Sequence, residues 1–149
     1  PAGIVRYYHT VGRRATPRPS PVPQEVRHPV EVPGSERDHL QQWLTKRCGW
    51  AVRAPELTGL KLVGGRLLPG PSGPASFLMY ESTSGERFTV YTAKAKTETT
   101  QMRYAVQGSD GALFWADRGV AYVVSGSTDR DRLTQVAQAI YDQMEKSGG

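Results

Sequence analysis

From Leu60 to Ser125 the apolar residues follow a period of two, and turn-forming residues interrupt that period at short intervals. Such alternation places successive side chains on opposite faces of a pleated strand. It predicts strands over 60–68, 75–82, 86–93, 101–107, 111–117 and 119–125, separated by PGPSG, TSGE, the polar stretch KAKTETT, QGSDG and DRG. Connections so short join antiparallel neighbours, because a parallel pair needs a crossover of about a dozen residues or more. In the 75–82 run Phe77, Met79 and Glu81 alternate with Leu78 and Tyr80, so bulk stands on both faces. The 16 glycines and 11 prolines agree with a chain rich in turns and strands, and they disfavour an all-helical fold.

A helix signal lies on each side of this region. Ser35 and Asp38 form an S/T-x-x-D/E box, Leu40, Trp43, Leu44 and Cys48 share a stripe, and Gly49 is placed to end the helix. Thr128 and Asp131 form a second box, and Leu133, Val136, Ala137, Ile140 and Met144 then recur at spacings of three and four. The expected fold is α+β: a twisted antiparallel meander of five or six strands with an N-terminal and a C-terminal helix packed on one side. A chain of 149 residues suits one domain. We place it at 25–146, with a short flexible end at 147–149.

The net charge of +5 is unevenly spread. Of the 19 Lys and Arg, Arg6, Arg13, Arg14 and Arg18 lie in residues 1–24 with no acidic residue, which leaves 15 basic against 14 acidic side chains in the body. PRPSPVP, with proline at every second position, stiffens this segment toward an extended conformation. Residues 1–24 therefore read as a basic linker or disordered tail. A solvated tail is the plain reading; an anionic membrane surface, nonspecific nucleic-acid contact and a proline-reading domain are the functional ones. The absence of an initiator Met before Pro1 reads as a piece of a longer chain.

Candidate chemistry is sparse. LVGGRLLPGPS approaches the phosphate loop G-x-x-x-x-G-K-S/T, but Pro71 stands at the lysine position and supplies no N–H. A strand pattern follows it, so no helix N-terminus would face an anion. Gly64 and Gly65 are better read as a bulge or kink. His9, His28 and His39 show no ligand spacing, and the lone Cys48 reads as a packing residue. No nucleophile, base and acid can be named together, so neither an enzyme nor a cofactor is expected.

The ordered set EVRHPVEV, HLQQWLTKRCG, LTGLKLVGGRLLPG, PASFLMYESTSGERFTVY and GVAYVVSGSTDRDRLTQVAQAIY resembles the extracytoplasmic part of bacterial membrane-anchored anti-sigma factors. The resemblance runs over about residues 25–145. It implies a periplasmic regulatory domain acting by protein contact or signal binding, anchored to the inner membrane in the full-length regulator, with a protein partner in the cell envelope. It also implies that the sigma factor is bound only by a separate cytoplasmic region, and it leaves a small-molecule ligand open. Candidate contact surfaces are the exposed sheet face, the 64–74 region and EVRHPVEV, with Arg27, His28, Val30, Arg66 and Trp115 as candidate partner-binding residues. A second hypothesis is a small nucleic-acid-binding module that uses the basic tail with Tyr91, Tyr104, Phe114, Trp115 and Tyr122. No signature resembling RNP1 accompanies those aromatics.

Overall fold

The computed structural model describes residues 31–96, 99–108 and 110–148. Strands β1 (Val32–Pro33), β2 (Leu60–Gly70), β3 (Gly73–Ser82), β4 (Arg87–Lys94), β5 (Arg103–Gln107), β6 (Asp110–Asp117) and β7 (Val120–Gly126) form one sheet in the order β1-β2-β3-β4-β7-β6-β5. Every neighbouring pair is antiparallel. Helix α1 (Arg37–Cys48) follows β1, and helix α2 (Arg130–Gly148) follows β7. The α+β architecture is as expected, with seven strands instead of five or six. The added strand is the two-residue β1.

The strand order departs from a simple meander in one place. β7 lies beside β4, and β5 is displaced to the far edge. The KAKTETT stretch permits this because it has the length to cross the ends of two strands, which stand about 4.8 Å apart. Its described residues bind the β6–β7 end: Ala95 N donates to Gly119 O at 2.8 Å, and Thr100 N donates to Ala116 O at 2.8 Å.

The glycine pair bends β2 as expected. Leu62 opposes Tyr80 and Gly64 opposes Met79, which leaves Val63 as the extra residue of a bulge. Gly64 has φ 156°, and the bulge turns Gly65 and Leu67 toward the helices while Arg66 and Leu68 take the other face. A Cβ on Gly65 would stand 2.9 Å from Leu78 Cδ2 and 3.0 Å from Leu40 Cδ1. The missing side chain is what lets α1 settle here. The 64–74 region is therefore two strand ends and a tight hairpin, with Gly70 opposite Gly73.

Both expected capping boxes are corrected. A 3-10 turn at Gly34–Glu36 precedes α1, whose first residue is preceded by Glu36 with no side-chain cap. At α2 the cap is Asp129, whose Oδ1 accepts from Arg132 N at 2.8 Å. Gly49 does end α1, at φ 94° with its N–H on Thr45 O. The backbone of α2 continues past residue 146 to Gly148.

The helices cover one face of the sheet. Leu40 and Leu44 of α1 and Leu133, Val136, Ala137 and Ile140 of α2 are buried with Leu62, Leu78, Tyr80, Phe88, Val90, Leu113, Trp115 and Val124. The residues after α1 form a strap over this core. Val52 N donates to Thr45 Oγ1 at 2.9 Å, Ala54 N to Gln41 Oε1 at 2.8 Å, and Tyr80 Oη to Pro55 O at 2.7 Å. Arg37 also holds Ala54 O, and Gln143 of α2 holds both backbone groups of Glu56. A segment without a ladder thus has its buried polar groups satisfied by side chains.

Candidate partner-docking edge

The displaced order gives the sheet two unlike edges. On one side stands β1, two residues long, whose Pro33 has no N–H to offer. On the other stands β5, RYAVQ, a five-residue strand paired only with β6 among the described residues. An outer strand of this kind presents a row of backbone N–H and C=O groups that an added strand can pair with.

Val106 marks this edge. It is 60% exposed and is the large hydrophobic residue left exposed among the described residues. Its surroundings are braced. The guanidinium of Arg130, at the start of α2, lies 4.6 Å from the centre of the Tyr104 ring. Gly111 makes room for that ring, because a Cβ there would stand 2.9 Å from Tyr104 Oη. Ser127 donates to the Asp110 carboxylate at the hairpin end. Arg103, exposed at the other end of β5, adds a positive charge. The edge is therefore a short held template with one apolar anchor.

The candidate residues from the sequence do not come together. Arg27, His28 and Val30 lie outside the described residues. Arg66 is half-buried on β2, and its Nε donates to Leu67 O at 3.4 Å. Trp115 sits in the helix-side core at 2% exposure, stacked on Tyr122 at 5.1 Å and edge-on to Tyr141 at 6.1 Å. Arg66 and Trp115 stand on opposite faces with three strands between their own. The other strand aromatics, Tyr91 at 3% and Phe114 at 6% exposure, offer no open stacking platform either. Sequence reasoning missed Val106, because its exposure depends on a strand order that the alternation does not contain.

Titratable groups elsewhere serve the fold. Burial pushes the Cys48 thiol up against the opposing effect of Arg47, and the side chain packs on the helix-side core. Such a thiol is a poor nucleophile at neutral pH. A hydrogen bond with Asp117 holds the Glu145 carboxyl above its usual range, while Arg118 pairs with both carboxylates at 3.8 and 3.5 Å. This group ties the β6–β7 turn to α2. A cleft of about 440 Å³ beside the strap is lined by Gln41 and Thr45, both already engaged in holding it.

No described helix is long and apolar enough to cross a membrane. Compared with protein-family models, with curated proteins and with solved structures, the chain matches none.

Proposed function

We propose that this chain is a non-enzymatic regulatory domain that acts by protein contact, the periplasmic module of a membrane-anchored anti-sigma factor. The observation that carries the contact reading is the β5 edge, unpaired on its outer side among the described residues, with Val106 exposed near its end. The ordered motifs over residues 25–145 supply the family part of the reading. A partner in the cell envelope adds a strand along β5, with backbone hydrogen bonds giving affinity and Val106 giving an apolar contact. Regulation follows where that partner prefers one state of the domain, since only differential affinity shifts an equilibrium. Contact with the sigma factor falls to the cytoplasmic segment of such a regulator.

The test uses the full-length regulator in its bacterium with a sigma-dependent reporter. Val106→Lys places a charge on the edge without touching the core. It is expected to weaken the partner about tenfold or more, equivalent to about 1.4 kcal/mol, and to change reporter output in the same direction as deleting residues 25–145. A reporter that responds to neither change would overturn the reading.

A further inference from the structure

The hairpin register decides which backbone groups of β5 face outward. Gln107 opposes Asp110 at the hairpin end, and Ala105 and Arg103 oppose Ala112 and Phe114. The pair that closes a two-residue hairpin loop exchanges both of its backbone bonds, and hydrogen-bonded pairs then alternate along the ladder. Residues 107, 105 and 103 therefore spend their N–H and C=O groups on β6. Ala116, the next residue of β6 in that series, accepts from Thr100 N at 2.8 Å on the same side, which fixes the same phase. The N–H and C=O groups of Tyr104 and Val106 are left directed away from β6.

These outward groups match those of a second copy of the same strand. A twofold axis perpendicular to the sheet at Ala105 sets Tyr104 opposite the other copy's Val106 and Ala105 opposite the other copy's Ala105. Each Tyr104–Val106 pair then exchanges both of its backbone bonds. The axis keeps both helix-facing sides together, and Tyr104 lies on that side, opposite Leu113 of the helix-side core. The exposed Val106 thus lands beside a Tyr104 ring already held by Arg130. An aromatic residue opposite a β-branched one is a favourable cross-strand pair. Arg103 faces position 107 of the other copy, which carries no charge, so no like charges stand opposite each other. Other registers match less well. Sliding the strands until Tyr104 meets Tyr104 would bring the two Arg130 cations together, and sliding them until Val106 meets Val106 would set Tyr104 against the turn at Gly108.

We propose that this chain self-associates through β5, two copies pairing antiparallel about a twofold axis at Ala105, so that each occupies the edge the other would offer to a partner. The proposal rests on the reading of β5 as an edge for strand addition, and it names the occupant of that edge when the envelope partner is absent. Partner and second copy then compete for the same backbone groups, and partner binding must offset the free energy of dissociation. A strand of five residues buries less than a standard interface. The pairing is therefore weak and reversible, with a Kd on the order of tens of micromolar. A dimer of that strength is one that a dedicated partner can open.

The test uses the whole 149-residue chain. Sedimentation equilibrium up to about 1 mM is expected to show a dimer, and Val106→Lys to weaken it about tenfold or more with far-UV circular dichroism unchanged. Cross-linking checks the register. Ala105 forms a non-hydrogen-bonded pair with its own copy, with Cα atoms about 4.5 Å apart, within reach of a disulfide. The two copies of residue 103 lie four positions apart along the strands, about 13 Å, which a disulfide cannot span. With oxidised glutathione as oxidant, Ala105→Cys is therefore expected to give a linked dimer and Arg103→Cys is not, the half-buried Cys48 being common to both. A chain that stays monomeric, a dimer that Val106→Lys leaves intact, or equal cross-linking at the two positions would overturn the proposal. The regulatory reading fails separately. A monomer whose reporter still responds to Val106→Lys overturns the self-association alone. A β5 dimer whose reporter ignores both that substitution and the deletion of residues 25–145 supports the pairing and removes the regulatory reading.

Discussion

Tyr80 reaches from β3 to the strap, where its hydroxyl donates to Pro55 O at 2.7 Å with the residue 1% exposed. Burial is the main reason its phenol is held above the ordinary value, with Arg37 opposing. The folded chain therefore keeps this proton while the unfolded chain begins to lose it above about pH 10. An acid whose folded value is raised contributes stability present below its unfolded value and lost as pH rises through the folded one. Tyr80→Phe is expected to cost about 1 kcal/mol at pH 7 through the lost hydrogen bond. Between pH 7 and pH 11 the wild type should lose about 1.4 kcal/mol more than the variant, so that the gap closes. Urea unfolding of both proteins at the two ends of that range checks the sign. None of this was legible in the sequence, where Tyr80 is one bulky residue in an alternation and Pro55 is 25 positions away.

At the scale of elements, the helices and strands were legible and their starts were not. The stripe of Leu133, Val136, Ala137 and Ile140 reads correctly as a buried helix face. The cap fails by one residue, because Thr128 and Asp129 both suit a helix start and tertiary contacts decide between them. Thr128 Oγ1 is directed to the Glu86 carboxylate at 3.4 Å, and Arg132 meets the same carboxylate at 3.3 Å, leaving Asp129 to take Arg132 N. Asp129→Ala is expected to cost about 1 kcal/mol. Thr128→Ala should cost less, about 0.5 kcal/mol, through the loss of its long hydrogen bond to the Glu86 carboxylate. Thermal unfolding of the two variants side by side checks the order; the reverse order would restore the Thr128 box. The strand sequence is limited in a related way. A two-residue turn such as Arg118-Gly119 dictates that β6 and β7 are neighbours, whereas the connection from Lys94 to Arg103 dictates nothing about where β5 lands.

At the scale of the whole molecule, the alternation in β3 already announced bulk on both faces, and it carried more information than the expected fold used. Two helices on one side account for Leu78 and Tyr80 but not for Phe77. Adjacent residues of β7 separate the two faces cleanly. Val124 opposes Val90 and Leu113 under the helices, while Val123 opposes Tyr91 and Phe114 on the other side. They are 0% and 1% exposed. Truncation to alanine removes two methyl groups and leaves a cavity, which costs about 2 kcal/mol at a buried site. At an open sheet face the same change would cost below about 1 kcal/mol, the span of strand propensity alone. In the full chain, Val123→Ala and Val124→Ala are therefore expected to lower the urea midpoint by similar amounts with unchanged slope. A cost for Val123→Ala below about 1 kcal/mol beside a full cost for Val124→Ala would show the second face open to water.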